Sequence, residues 1–224
     1  MPKILPLNIR QPYRYVVSER SPLFLFSHGV NGGIDHPDCL KWMGLLSKLG
    51  RVEGFNYWFA RSGFPVRPPA AAALVDQQVR EFNTWRERFP KRPIIMVGKS
   101  MGSRVACMAS LQVDTLGVVC LSFPLVAGAT GMSRDGELRA TKVPVLFIQG
   151  TQDKLCPLNA LQRIMTEVRN ETELHVMESA NHSLRVGRRF DQVVSDQLAL
   201  NAIAKWVKKL LQPTTGLGRA AHDA

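Results

Sequence analysis

Cysteine is scarce in this sequence, and its few cysteines are not spaced in pairs. The 224 residues include four, at positions 39, 107, 120 and 156. Without a C-x-x-C pair, the sequence indicates neither a zinc site nor a disulfide framework. We expect a reducing compartment, the cytoplasm with the nucleus as the alternative, and we predict no metal and no cofactor.

Long apolar runs are also missing. No stretch reaches the length of about 20 residues that a transmembrane helix needs. Residues 1–20 hold no continuous apolar segment of the signal-peptide type, and prolines at positions 2, 6 and 12 disfavour an amphipathic transit helix. We therefore predict no membrane span and no secretory signal.

Acidic residues are outnumbered by basic ones, 18 against 29, which gives a formal net charge of +11. Such an excess can attract nucleic acid, anionic membranes or acidic ligands. The basic residues are spread along the chain, with the densest groups at 80–92 and 185–189. A solvated surface is the simpler interpretation of the first group, while the second would favour an anionic substrate. We expect a small-molecule substrate, with nucleic acid or an acidic protein as the alternative partner.

Short apolar segments alternate with amphipathic ones, which is typical of a parallel sheet covered by helices on both faces. We predict an α/β fold with strands at 23–27, 55–60, 94–97, 116–121, 143–149 and 173–177, and a further edge strand at 13–18. Apolar stripes of helical period begin near Val75, Leu158 and Leu198. The predicted domain covers residues 22–212, between an extension or edge strand at 1–21 and a flexible tail at 213–224.

Ser100 lies in the pattern G-x-S-x-G, after the apolar run 93–97 and before a helix-compatible segment. The glycines at 98 and 102 leave room for a sharp strand-to-helix turn that exposes a strained serine. The letters G-K-S also resemble the end of a phosphate-binding P-loop, but that loop needs a glycine where Pro93 stands. We therefore predict that Ser100 is a nucleophile.

A serine nucleophile needs a base and an acid that orients the base, here in the chain order acid, then histidine. Asp153 follows the predicted strand 143–149, and His182 follows the last predicted strand. His175 lies within a strand and Asp135 in an irregular connection, so both rank below these two. Glu178 is close to His182 in sequence but is more typical of a solvated charge.

The loop after the first strand reads Ser-His-Gly-Val-Asn-Gly-Gly, and its glycines allow close approach to a substrate carbonyl. We predict an oxyanion hole from the amides of Val30, or its neighbour, and Met101. Asn31, Phe123 and Leu125 are the predicted substrate contacts. Only about twenty residues, 122–142, are left for a cap, so we expect an open, shallow site suited to small or flexible acyl groups.

At these residues the chain resembles the α/β-hydrolase superfamily, and most of all its small dienelactone-hydrolase-like branch. That branch includes the testis-expressed and NSL-complex α/β-hydrolase-like proteins. The matching segments are 27–32, 98–104, 123–125, 149–153 and 181–184, and G-K-S-M-G-S-R at 98–104 is the most specific of them. The resemblance spans about residues 22–211 and implies a triad of Ser100, Asp153 and His182. Dienelactone hydrolases carry a cysteine at the position of Ser100, so dienelactone is not implied as the substrate.

Two functions of different kinds follow. The first is a metal-free serine hydrolase, a carboxylesterase-like enzyme that acts on esters or thioesters. The second is a scaffold or binding protein that kept the fold and lost turnover, working through its basic surface with chromatin or another acidic partner. The intact set of candidate catalytic residues favours the hydrolase.

Overall fold

The computed structural model describes residues 21–30, 32–61, 68–128 and 130–212. Six strands alternate with helices along this part of the chain. The strands are β1 Leu23–Ser27, β2 Arg51–Phe55, β3 Ile94–Lys99, β4 Gly117–Leu121, β5 Val145–Gly150 and β6 Thr172–Met177. The helices are α1 Pro37–Leu46, α2 Trp58–Arg61, α3 Val75–Arg88, α4 Met101–Ala109, α5 Gly136–Ala140, α6 Leu158–Glu167 and α7 Gln192–Leu211, with a 3₁₀ turn at Ala71–Leu74.

All six strands are parallel and form one sheet in the order β2-β1-β3-β4-β5-β6. The four inner strands are buried along their whole length, whereas the edge strands β2 and β6 are mostly half-buried. Near-continuous apolar runs are what a strand covered on both faces requires. The predicted α/β fold with a parallel sheet is therefore confirmed.

Each face of the sheet has its own hydrophobic core. Helices α3 to α6 pack on one face, where Phe82, Val105 and Leu161 are buried. Helices α1 and α7 pack on the other, where Trp42 and Trp206 are buried. The two layers fix the inner strands between them, so the loops at the carboxyl ends of the strands start from a rigid base.

The strand predicted at 55–60 is wrong in its position, because β2 covers Arg51–Phe55 and the chain then turns into the short helix α2. The amide of Tyr57 donates to His28 Nε2 at 3.0 Å, and the amide of Trp58 donates to Gln77 Oε1 at 3.0 Å. These two amides therefore bond to side chains, and not to the carbonyl oxygens of a neighbouring strand as they would if β2 were longer. The alternating rings of Phe55, Tyr57 and Phe59 are buried without belonging to one strand.

The other five strands lie within two residues of their predicted bounds. The predicted edge strand 13–18 and tail 213–224 lie outside the described residues, and the domain bounds 22–212 stay a prediction. In the described ranges, no helix combines the length and hydropathy that crossing a bilayer requires.

Candidate active site

Three loops of the chain meet at the carboxyl edge of the sheet. Ser100 directly follows β3, Asp153 follows β5, and His182 follows β6. Because the strands are parallel, all three loops leave the sheet on the same side. The fold therefore brings together side chains that are far apart in sequence.

The turn that carries Ser100 is sharp and strained. Ser100 has a φ of 53°, a left-handed conformation that is unusual for a residue with a side chain. A Cβ atom at Gly98 would lie 2.2 Å from the Ser103 amide, and one at Gly102 would lie 2.6 Å from the Ser27 carbonyl oxygen. Only glycine fits at these two positions, which explains the G-x-S-x-G spacing.

A continuous chain of hydrogen bonds runs from the serine to a buried carboxylate. Ser100 Oγ lies 2.8 Å from His182 Nε2, and His182 Nδ1 lies 2.8 Å from Asp153 Oδ2. Since a carboxylate only accepts, Nδ1 carries the proton and Nε2 is left to accept from the serine hydroxyl. This geometry can remove the hydroxyl proton as the oxygen attacks an electrophile.

Asp153 is held by two further donors. The residue is only 3% exposed. Gln149 Nε2 donates to Oδ2 at 2.6 Å, and the amide of Leu155 donates to Oδ1 at 2.9 Å. Both bonds fix the orientation of the carboxylate toward His182. Gln149 lies in the matching segment 149–153 but has no predicted role, although a polar residue at the end of the apolar run 145–148 is a usable signal.

The loop after β1 approaches the serine closely. A Cβ atom at Gly29 would lie 3.1 Å from Ser100 Cβ. Among the described residues, neither the Val30 amide nor the Met101 amide donates to a protein acceptor. Met101 also begins α4, whose N-terminus carries partial positive charge. Two such amides beside a nucleophile can stabilise a developing oxyanion.

His28 fixes the start of this loop. The Tyr57 amide donates to His28 Nε2, so the ring proton is on Nδ1, which donates to the Gly29 carbonyl oxygen at 2.6 Å. Burial lowers the pKa of His28 below its ordinary value of 6.5. The ring therefore remains neutral and keeps both bonds.

Lowering the pH is expected to destabilise the protein through His28. The unfolded chain takes up a proton near pH 6.5, whereas the folded chain resists it, so stability is lost as the pH falls below 6.5. One such group contributes at most about 1.4 kcal/mol per pH unit. Urea unfolding of wild type and His28→Gln at pH 7.5 and 5.5 should show a smaller pH effect in the variant. An equal pH effect in both proteins would contradict this account.

A cavity of about 240 Å³ lies beside the serine. Its lining combines polar and apolar groups: Gly29, Val30, His36, Asp38, Cys39, Lys99, Ser100, Leu155, His182 and Ser183. Arg185 pairs with Asp38 at 3.1 Å, so the acidic charge in the wall is compensated. The cavity suits a small substrate group with polar character.

The predicted substrate contacts have different locations. Phe123 and Leu125 are 0% and 1% exposed and pack in the core on the α3–α6 face of the sheet. Asn31 lies outside the described residues. The substrate contacts assigned to these three residues stay a prediction.

The competing acids and bases lie away from the serine. His175 is within β6, where burial lowers its pKa. Asp135 binds Ser133 and Arg139, and Glu178 accepts from Thr151. The structure therefore brings Ser100, His182 and Asp153 together, and not these alternatives.

The segment between β4 and β5 contributes little cover. Its described residues form one five-residue helix, α5, and a single bridge between Val126 and Ser133. In the described part of the chain, no group of three histidine, cysteine or acidic side chains is arranged to hold a metal ion.

Several solved structures share this fold. An α/β serine hydrolase homologue from Coxiella burnetii is 17% identical, with a TM-score of 0.68 over 85% of this chain and 89% of that one. Est1E from Butyrivibrio proteoclasticus, solved with ferulic acid bound, is 13% identical, with a TM-score of 0.69 over 87% and 91%. A serine hydrolase without a lid from Xanthomonas campestris is 16% identical, with a TM-score of 0.66 over 92% and 88%.

The sequence itself carries the same assignment. Residues 20–210 match the family model described as an alpha/beta hydrolase domain. That range includes every strand of the sheet and the three loops that meet at Ser100. The chain therefore belongs to the α/β-hydrolase family.

Proposed function

We propose that the protein is a serine hydrolase that cleaves carboxylic ester or thioester bonds through an acyl-enzyme. The observation that carries the proposal is the hydrogen-bonded chain from Ser100 through His182 to Asp153, with 2.8 Å at each step. Two of the compared structures are named as serine hydrolases, which supports the same reaction class. The G-K-S-M-G-S-R segment, shared with the dienelactone-hydrolase-like branch, supports placing the chain in that branch.

The first half of the reaction forms the acyl-enzyme. Ser100 Oγ attacks the carbonyl carbon while His182 Nε2 takes the hydroxyl proton, and Asp153 stabilises the resulting imidazolium. The carbonyl oxygen becomes an oxyanion that accepts hydrogen bonds from the Val30 and Met101 amides. The bond to the leaving alcohol or thiol then breaks, and His182 gives that group its proton.

The second half releases the acid. A water molecule attacks the acyl carbon and loses a proton to His182 Nε2, and the same two amides stabilise the second oxyanion. When the bond to Ser100 Oγ breaks, His182 returns the proton to that oxygen. The products are a carboxylic acid and the free enzyme, with no metal or redox group in any step.

The test of this proposal combines a fluorophosphonate probe with p-nitrophenyl acetate, butyrate and palmitate. We expect covalent labelling of Ser100 and hydrolysis of the two short esters at least about tenfold faster than that of palmitate, because the cavity of about 240 Å³ beside Ser100 is small. Labelled peptides are identified by mass spectrometry, and heat-denatured protein is the control. Folded protein that is not labelled at Ser100 would refute the proposal.

The alternative function is a non-catalytic scaffold or binding protein, favoured by the net charge of +11. It predicts salt-dependent binding of DNA or an acidic protein and no hydrolysis of any ester in the panel. The four free, buried cysteines suit a reducing compartment, and we propose the cytoplasm, with the nucleus as the alternative if the scaffold function holds.

A further inference from the structure

Lys99 is a buried cation next to the serine. It is the last residue of β3, directly before Ser100, and is only 7% exposed. Within the described ranges, no carboxylate lies close enough to its ammonium to form an ion pair, and the charges of Asp38 and Asp153 act on it from a greater distance. An ammonium in such a place is costly to bury. A buried charge kept at this cost calls for a role in the site.

Of the groups that the structure describes, the ammonium has one hydrogen-bond partner, the main-chain oxygen of His182 at 2.7 Å. Among the described residues, no other group donates to that oxygen. The bond joins the residue before the nucleophile to the backbone of the residue that carries the base. Ser100 and His182 are therefore connected twice, once through their side chains and once through Lys99.

The backbone around His182 forms a tight turn. The Leu184 amide donates to the Asn181 carbonyl oxygen at 2.9 Å, which places His182 and Ser183 at the centre of a tight turn. Leu184 has a φ of 58°, a strained conformation for a side chain of this size. A strained residue persists only where the surrounding contacts hold it, and the bond from Lys99 to the His182 carbonyl oxygen is one of those contacts.

We infer that Lys99 is a positioning residue that holds the His182 turn, and so the imidazole, against Ser100. The inference rests on the proposed function. Lys99 does not exchange a proton in the reaction, and it acts through the backbone of His182. A displacement of the imidazole by about 1 Å is enough to lower the rate of the chemical step by about a hundredfold.

The test replaces Lys99 by methionine, which keeps the length of the side chain and removes the charge and the donor. We expect kcat per active site, titrated with a fluorophosphonate, to fall about 10- to 100-fold while KM changes less than about threefold. The midpoint of thermal unfolding should equal or exceed that of wild type, because a buried charge is removed. Lys48→Met, an exposed lysine on the loop after α1, is the matched control and should leave all three values unchanged.

A second measurement does not depend on turnover. In protein labelled with ¹⁵N-histidine, the Nδ1–H signal of His182, assigned with His182→Gln, should shift or broaden in Lys99→Met and not in Lys48→Met. If either this signal or kcat per titrated site stays at its wild-type value, the inference is overturned. If wild type lacks turnover, the proposed function fails, and the imidazole signal alone decides the role of Lys99. Lys99→Gln, too short to reach the same oxygen, replaces the methionine variant if that one does not fold.

Discussion

Replacing Ser100 by alanine is expected to lower kcat for p-nitrophenyl butyrate by about 10⁴- to 10⁶-fold with little change in KM. Without Oγ no acyl-enzyme can form, and water held near His182 is a much weaker nucleophile in this geometry. The residual rate would come from the oxyanion hole and from substrate binding. Initial rates at several substrate concentrations, with kcat and KM fitted separately, provide the measurement.

Ser47→Ala is the control for this variant. Ser47 is exposed after α1, and its hydroxyl donates to the Gly44 carbonyl oxygen at 2.8 Å. Its loss should leave kcat within about twofold of wild type, because no contact in the site depends on it. A Ser100→Ala protein that hydrolyses the ester at the wild-type rate would place the reaction elsewhere on the molecule.

The sheet was largely predictable from the sequence because its inner strands are apolar on both faces. The apolar side chains of the runs at 23–27, 94–97 and 143–149 point to both faces of the sheet, so they are buried only when helices cover both faces. The position of the edge strand β2 was not predicted, because its first residues, Arg51 to Gly54, are half-buried and include both charged and apolar side chains. The aromatic run after it has a strand-like alternation, but side chains distant in sequence bond its amides.

The three residues at the carboxyl edge were predictable because parallel strands place their following loops together. The contacts around them were not, since they depend on which way a side chain points after the fold has formed. Gln149 and Lys99 each lie at the end of a buried strand. Their neighbours in the sequence do not indicate that Gln149 bonds to Asp153 or that Lys99 bonds to the His182 backbone.

Replacing Asp153 by asparagine is expected to lower kcat by about 10³- to 10⁴-fold while the protein stays folded. His182 Nδ1 and Gln149 Nε2 both donate to Oδ2, and the Leu155 amide donates to Oδ1. An asparagine amide group therefore faces at least one donor in either orientation. If its nitrogen faces His182, the imidazole must carry its proton on Nε2, and it can no longer accept from Ser100.

The matched control is Asp135→Asn, the other aspartate that the sequence offered as the acid. Asp135 accepts from Arg139 at 2.6 Å and from Ser133 at 2.7 Å, away from the site. Exposed pairs of this kind contribute little, so its kcat should stay within about twofold of wild type. The two variants remove one carboxylate each, and thermal unfolding shows whether both remain folded. Equal kcat in the two would mean that the buried carboxylate does not orient the imidazole, and that the reaction depends on Ser100 and His182 alone.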